Sequence, residues 1–179
     1  NMEILKSQTA PYNILDYYLL LPGDVDQKKA IVETPIGETY SDPERCNYTV
    51  LKKNINGGYI EISRYCQFQR RSIQYVYWKL SGKSVLIGVN EIVHIGNNFS
   101  YSDSYKFYVF DGSSLKLADV GILSAIDDSL LFEKLLGTGD SGLTNELAIL
   151  LELPESGKDI NLKVIDIEQS LLNNEASAR

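Results

Sequence analysis

Four stretches in the middle of the chain alternate β-branched or aromatic residues with polar ones: GYIEISRYC (58–66), SIQYVYWKL (72–80), SVLIGVNEIVHI (84–95) and SYKFYVFDG (104–112). Val, Ile, Tyr and Phe suit a pleated, half-buried surface, and turn residues bound each stretch, so all four are predicted strands. Ser81-Gly82-Lys83 is a tight hairpin connection, and the turn after Asp111-Gly112 leads into SLKLADV, a predicted fifth strand. Connections this short require antiparallel pairing, which makes the region a meander.

The alternation also sorts the side chains. Gln74, Val76, Trp78 and Leu80 share one face of their strand, and Ile73, Tyr75, Tyr77 and Lys79 share the other. In the next strand Val85, Ile87, Val89, Val93 and Ile95 oppose Ser84, Gly88, Asn90 and His94. One sheet face is therefore expected on a core, and the other is expected to be partly polar and Tyr-rich.

Outside the meander the pattern changes. Asn13 can cap a short helix, ILDYYLLL, with Asp16 at its third position and Pro22-Gly23 as its stop. Ile14, Leu15, Tyr18, Leu19 and Leu21 are expected to pack against the sheet. Residues 24–57 read as irregular, with a short helix or strand within Gln27–Glu33 and a turn at Asn56-Gly57-Gly58. GILSAIDDSLLFEKLL (121–136) suits a helix. ELAILLELP (146–154) suits a strand or a helix, and the turn before INLKVIDI (160–167) favours a hairpin. The fold class that follows is α+β, mostly β: a meander of about five or more strands with a short N-terminal helix and one later helix. The 179 residues are expected to form a single globular domain, with 1–11 and 170–179 as a poorly ordered lead-in and tail.

Charge and cysteines narrow the function classes. The net charge of −7 argues against a general nucleic-acid binder, which needs a basic surface. Charge is uneven, however: Arg45 to Lys83 holds eight basic side chains against the single acid Glu61. Packing beside acidic segments would neutralise it, and an anion-binding face is the sharper alternative. No stretch is long and apolar enough to be a transmembrane segment. Cys46 and Cys66 would pair in an exported chain, where a loop of that size stabilises by about 3 kcal/mol in the chain-entropy model. In a reducing compartment they would be free thiols.

No catalytic set assembles from the sequence. Gly139-Asp140-Ser141-Gly142 matches the surroundings of a trypsin-like nucleophile, and His94 precedes it. The interval between them cannot hold most of a second barrel, too few residues follow Ser141, and EIVHIG is the wrong context for the histidine. The loop therefore reads as a Gly-rich turn. Asp127-Asp128 reads as a helix cap, and Asp24-Val-Asp26 lacks the glycine and closing glutamate of a calcium loop. Neither a metal site nor a cofactor site is recognisable. The sequons Asn47-Tyr-Thr49 and Asn98-Phe-Ser100 matter only in a eukaryotic secretory pathway. The remaining ligand candidates are the aromatics Tyr75, Tyr77, Trp78 and Tyr108 beside Arg70, Arg71 and Lys79, which could stack on sugars or contact an anionic polymer. Cross-strand aromatic pairing is the structural alternative.

NILDYYLLLPGDV, YVYWKLSGKSVLIGVNE, YKFYVFDGSSLKLADV and LELPESGKDINLKV follow one another along the chain. Together they resemble a group of uncharacterised exported bacterial proteins, envelope or lipoprotein-like. That group shares a D-Y-x-L-L-L-P opening, a Tyr-rich antiparallel meander and a late L-P-x-x-G-x-x-I segment. The resemblance implies export, an α+β or mostly-β domain and no assigned activity, and it transfers no site residues. The long polar stretch 24–57 and the cysteine pair depart from it. The resulting expectation is a non-catalytic binding or interaction domain of the bacterial envelope. It would be periplasmic or outer-surface anchored after removal of a leader. Its partner would be a glycan, an anionic envelope polymer or another envelope protein. The alternatives are a hydrolase whose site joins distant carboxylates with His94, and a structural envelope component.

Overall fold

Helix α1 (Ile14–Leu20) begins where Asn13 places it. The Asn13 side chain accepts from Leu15 N at 2.8 Å, and Asp16 reaches back to accept from Asn13 N at 2.8 Å, a reciprocal capping box. A second helix, α2 (Val25–Glu33), follows at once and is N-capped by Asp24. Neither helix has a basic residue in its last turn. Distant lysines supply that charge instead. Lys28 Nζ donates to the carbonyls of Leu19 and Leu21, and Lys53 Nζ donates to those of Val32 and Thr34. Both ammonium groups thus satisfy orphan carbonyls at a helix C-terminus, where positive charge is favoured. Burial lowers the pKa of each.

The computed structural model describes residues 12–43, 46–80, 84–95, 99–118 and 147–166. Its main sheet has seven antiparallel strands in sequence order. They are β1 (Thr39–Ser41), β2 (Asn47–Asn54), β3 (Tyr59–Cys66), β4 (Gln69–Lys79), β5 (Val85–Ile95), β6 (Phe99–Phe110) and β7 (Leu115–Leu117). Strands β8 (Leu147–Glu152) and β9 (Asn161–Asp166) form a separate antiparallel hairpin. The expected α+β, mostly-β meander is therefore present. Residues 24–57 are more regular than expected: α2 covers the short element expected within Gln27–Glu33, and β1 and β2 follow it. A register shift between Val50 and Lys52 breaks the two-residue period of β2, which hid that strand from pattern reading. The predicted 121–136 helix, the 81–83 connection, the Ser141 loop, the lead-in and the tail lie outside the described residues.

The sheet is covered on both faces. Helix α1 packs Ile14, Tyr17, Tyr18 and Leu21 onto one face, against Val50, Ile60, Ile62, Val85, Ile87 and Phe110. Those positions, the last of them the C-cap, follow an i, i+3, i+4, i+7 stripe. Ile14, Tyr18 and Leu21 are buried as expected and Leu15 packs partly buried against the core, whereas Leu19 is only half-buried and Tyr17 and Leu20 take up the remaining buried positions. On the opposite face Leu151 and Leu153 pack with Tyr59 and Val76, flanked by Trp78 and Ile160. Gly58, at φ +75°, lies under the Tyr77 ring, where an added Cβ would sit 2.7 Å from the aromatic carbons. Only glycine fits both that conformation and that approach.

Candidate functional site

The structure distributes the predicted aromatic and basic residues over both faces. Tyr75 packs edge-on against Tyr18 at 4.8 Å between ring centroids, and Tyr77 meets Tyr17 at 5.1 Å. Tyr108 is half-buried against the same core. Trp78 sits on the other face beside Phe107 and donates from Nε1 to the Gly157 carbonyl at 3.2 Å. Arg71 is tied into an ionic cluster: its Nη1 lies 3.0 Å from Glu91 Oε1 and 2.5 Å from Asp103 Oδ2, and Arg64 binds the same Glu91 oxygen at 2.6 Å. Arg70 and Lys79 are exposed near opposite ends of β4. Tyr75, Tyr77 and Tyr108 therefore come together, while Trp78 and Arg70 lie on the opposite face and Lys79 ends the strand exposed.

His94 lies within a polar relay. Its Nε2 is 2.7 Å from Ser72 Oγ, and its Nδ1 is 2.8 Å from Ser100 Oγ. Burial, and then the charge of Arg70, lower its pKa and so favour the neutral ring. A neutral imidazole bonded to a hydroxyl can in principle act as a general base. Ser72, however, is only 5% exposed and lies inside β4. The second ring nitrogen meets a hydroxyl rather than an orienting carboxylate. Among the described residues no group of three His, Cys, Asp or Glu side chains is placed to hold a metal ion.

A concavity lies where α2, β1 and the start of β2 meet. It has a volume of about 530 Å³ and is lined by Asp24, Asp26, Gln27, Tyr40, Asp42, Pro43 and Tyr48. Local rules place each wall. Asp24 and Asp26 are there because a helix N-terminus favours acids. Tyr40 and Tyr48 are register partners across β1 and β2, with ring centroids 6.3 Å apart. Gln27 Nε2 bridges the two sides, donating to Asp42 Oδ2 at 3.0 Å and to the Tyr48 hydroxyl at 2.9 Å.

A disulfide fixes this end of the molecule. Cys46 and Cys66 are bonded, with Cα atoms 4.6 Å apart. Asp42 and Cys46 hold each other twice: Asp42 N donates to the Cys46 carbonyl at 3.0 Å, and Cys46 N donates to Asp42 Oδ1 at 2.9 Å. The pocket wall is thus tied through the bridge to the tip of the β3–β4 hairpin. Burial, and then the Asp42 charge, raise the Tyr48 pKa. Among the described residues no lysine, arginine or histidine lines the pocket, although Lys29 approaches Asp26 from outside it at 3.9 Å. The site's residues come from the 24–57 stretch, where little periodicity marks them in the sequence. The helix-capping aspartates were the one available signal.

Comparison with known proteins finds no matching family model, no matching curated protein and no matching solved structure. No helix among the described residues is long and apolar enough to cross a membrane.

Proposed function

We infer that the protein is an exported, non-catalytic binding domain of the bacterial envelope whose ligand enters the pocket between α2, β1 and β2. The observation that carries this reading is the pocket's wall: three carboxylates and two tyrosine rings, with no basic side chain among the described lining residues. Carboxylates attract positive charge, and tyrosine faces add cation–π attraction and stacking on sugar rings. The ligand class is therefore a molecule with an ammonium or guanidinium group on a hydroxylated or peptidic frame, such as an amino sugar. Among the partners expected from sequence, a glycan or a protein segment suits this wall, whereas an anionic polymer does not. The Cys46–Cys66 bond supports an oxidising compartment and hence export.

Titration calorimetry with glucosamine oligosaccharides and their N-acetylated counterparts tests the reading. Binding of the amines alone is expected, with a loss of about tenfold or more for Asp42→Asn. Equal binding of charged and neutral sugars would overturn the charge-based assignment. The Ser72–His94 pair is read as structural, because its serine is buried in a strand. Stoichiometric labelling of Ser72 by a fluorophosphonate would instead favour the hydrolase.

A further inference from the structure

The tip of the β3–β4 hairpin holds a feature that the fold does not use. Gln67 and Phe68 form its two-residue turn, since Cys66 pairs directly with Gln69. Both have positive φ, +48° and +65°, a region that favours glycine and asparagine over bulky side chains. Phe68 is nonetheless 94% exposed, and the neighbouring Tyr65 is 46% exposed. From Ile62 to Ile73 there is no acidic residue. Of the three arginines in that stretch, Arg64 and Arg71 are neutralised by Glu91 and Asp103, whereas Arg70 makes no ion pair among the described residues. The tip is therefore an aromatic knob beside a cation with no ion pair among the described residues, held at its base by the disulfide. An exposed aromatic kept in a costly backbone conformation points to a partner.

The same bridge carries both this knob and the acidic, tyrosine-lined pocket. The two surfaces complement each other in kind: cation and aromatic ring on one, carboxylates and aromatic rings on the other. They also lie at the same end of the molecule, because Asp42 is bonded to Cys46 and Cys66 opens the turn. A surface that carries both a knob and its matching hole can pair with itself about a two-fold axis, each hole taking the other's knob. We propose that this end is a homodimer interface, with Phe68 and Arg70 of one copy seated in the Asp24–Asp26–Asp42 pocket of the other. The proposal rests on the reading of the pocket as a binding site and names a second copy of this chain as its occupant.

Sedimentation equilibrium of the oxidised full chain, from low micromolar to several hundred micromolar, tests it. The mass is expected to rise to two chains and stop. Phe68→Ser should weaken the dimer by about tenfold or more, as for a central aromatic anchor. Arg70→Asp and Asp26→Lys should each weaken it, and an equimolar mixture of these two variants should restore it by exchanging the charges. That recovery would show that both variants are folded. A strict monomer throughout, a dimer indifferent to Phe68→Ser, or growth beyond two chains would overturn the proposal. Amine binding by a strict monomer would remove the dimer and leave the proposed function intact. A Phe68-dependent dimer that binds no amine would keep the interface and remove the small-ligand class.

Discussion

The two faces of the main sheet are covered in different physical ways. On one, α1 contributes apolar and aromatic area: Ile14 is fully buried, and Tyr17 and Tyr18 meet Tyr77 and Tyr75 ring to ring. On the other, the β8–β9 hairpin adds directed hydrogen bonds to the packing of Leu151 and Leu153. Asn90 Nδ2 donates to the Leu151 carbonyl at 2.5 Å and to Gln74 Oε1 at 3.2 Å. Leu153 N donates to Gln74 Oε1 at 3.0 Å, and Leu151 N donates to Ser102 Oγ at 2.8 Å. Apolar cover is non-directional and scales with area. Amide cover fixes register, because each buried polar group must meet its partner or remain unsatisfied at a cost. The helix face therefore supplies more of the stability, and the hairpin face supplies more of the positional specificity.

Ile14→Ala should break the first face most, costing about 2–5 kcal/mol in urea denaturation. Leu19→Ala, one helix face away and only half-buried, should cost clearly less, and equal costs would contradict the phase of the helix. Asn90→Ala strikes the other face. It strips a donor from the Leu151 carbonyl and from Gln74, for an expected loss of about 1–3 kcal/mol. A double-mutant cycle with Gln74→Ala should then show coupling of about 0.5 kcal/mol or more, whereas additivity would mean that the amides act independently. Asn13→Ala removes one side of the capping box and should cost about 1 kcal/mol.

The smallest expected effect concerns pH. The His94 pKa is lowered in the folded protein below its usual 6.5, by burial first and Arg70 second. As pH falls through 6.5 the unfolded chain takes up this proton before the folded one does. Stability is thus held above 6.5 and declines from there toward the lowered folded value. Urea midpoints for wild type and His94→Gln should diverge across that window, with the variant losing the part of the slope due to this residue.

Much of the fold was legible because it is local. Strand periodicity and short connections dictate an antiparallel meander, and Asn13 with Pro22-Gly23 bounds α1 whatever surrounds it. The Leu153–Ile160 turn was readable as a hairpin for the same reason. Strand β2 was not: its bulge at Leu51 disrupts the alternation, and Lys53 looks like a surface lysine until its ammonium is seen against the carbonyls of α2. The pocket was least legible. Asp24 and Asp26 are ordinary capping residues in sequence, and they face Tyr40, Asp42 and Tyr48 only once α2 lies against the start of the sheet.

The sequence by itself determined the period, the turns, the cap of α1 and a cysteine spacing compatible with a bridge, since each depends on neighbours within a few residues. Tertiary structure decided which of two apolar faces each layer covers, whether the cysteines meet, and which acids share a cavity. Those outcomes depend on packing between distant segments. The tyrosines of NILDYYLLLPGDV and of YVYW show the difference. Composition marks both as aromatic, and only their ring contacts across the α1–sheet interface make them core.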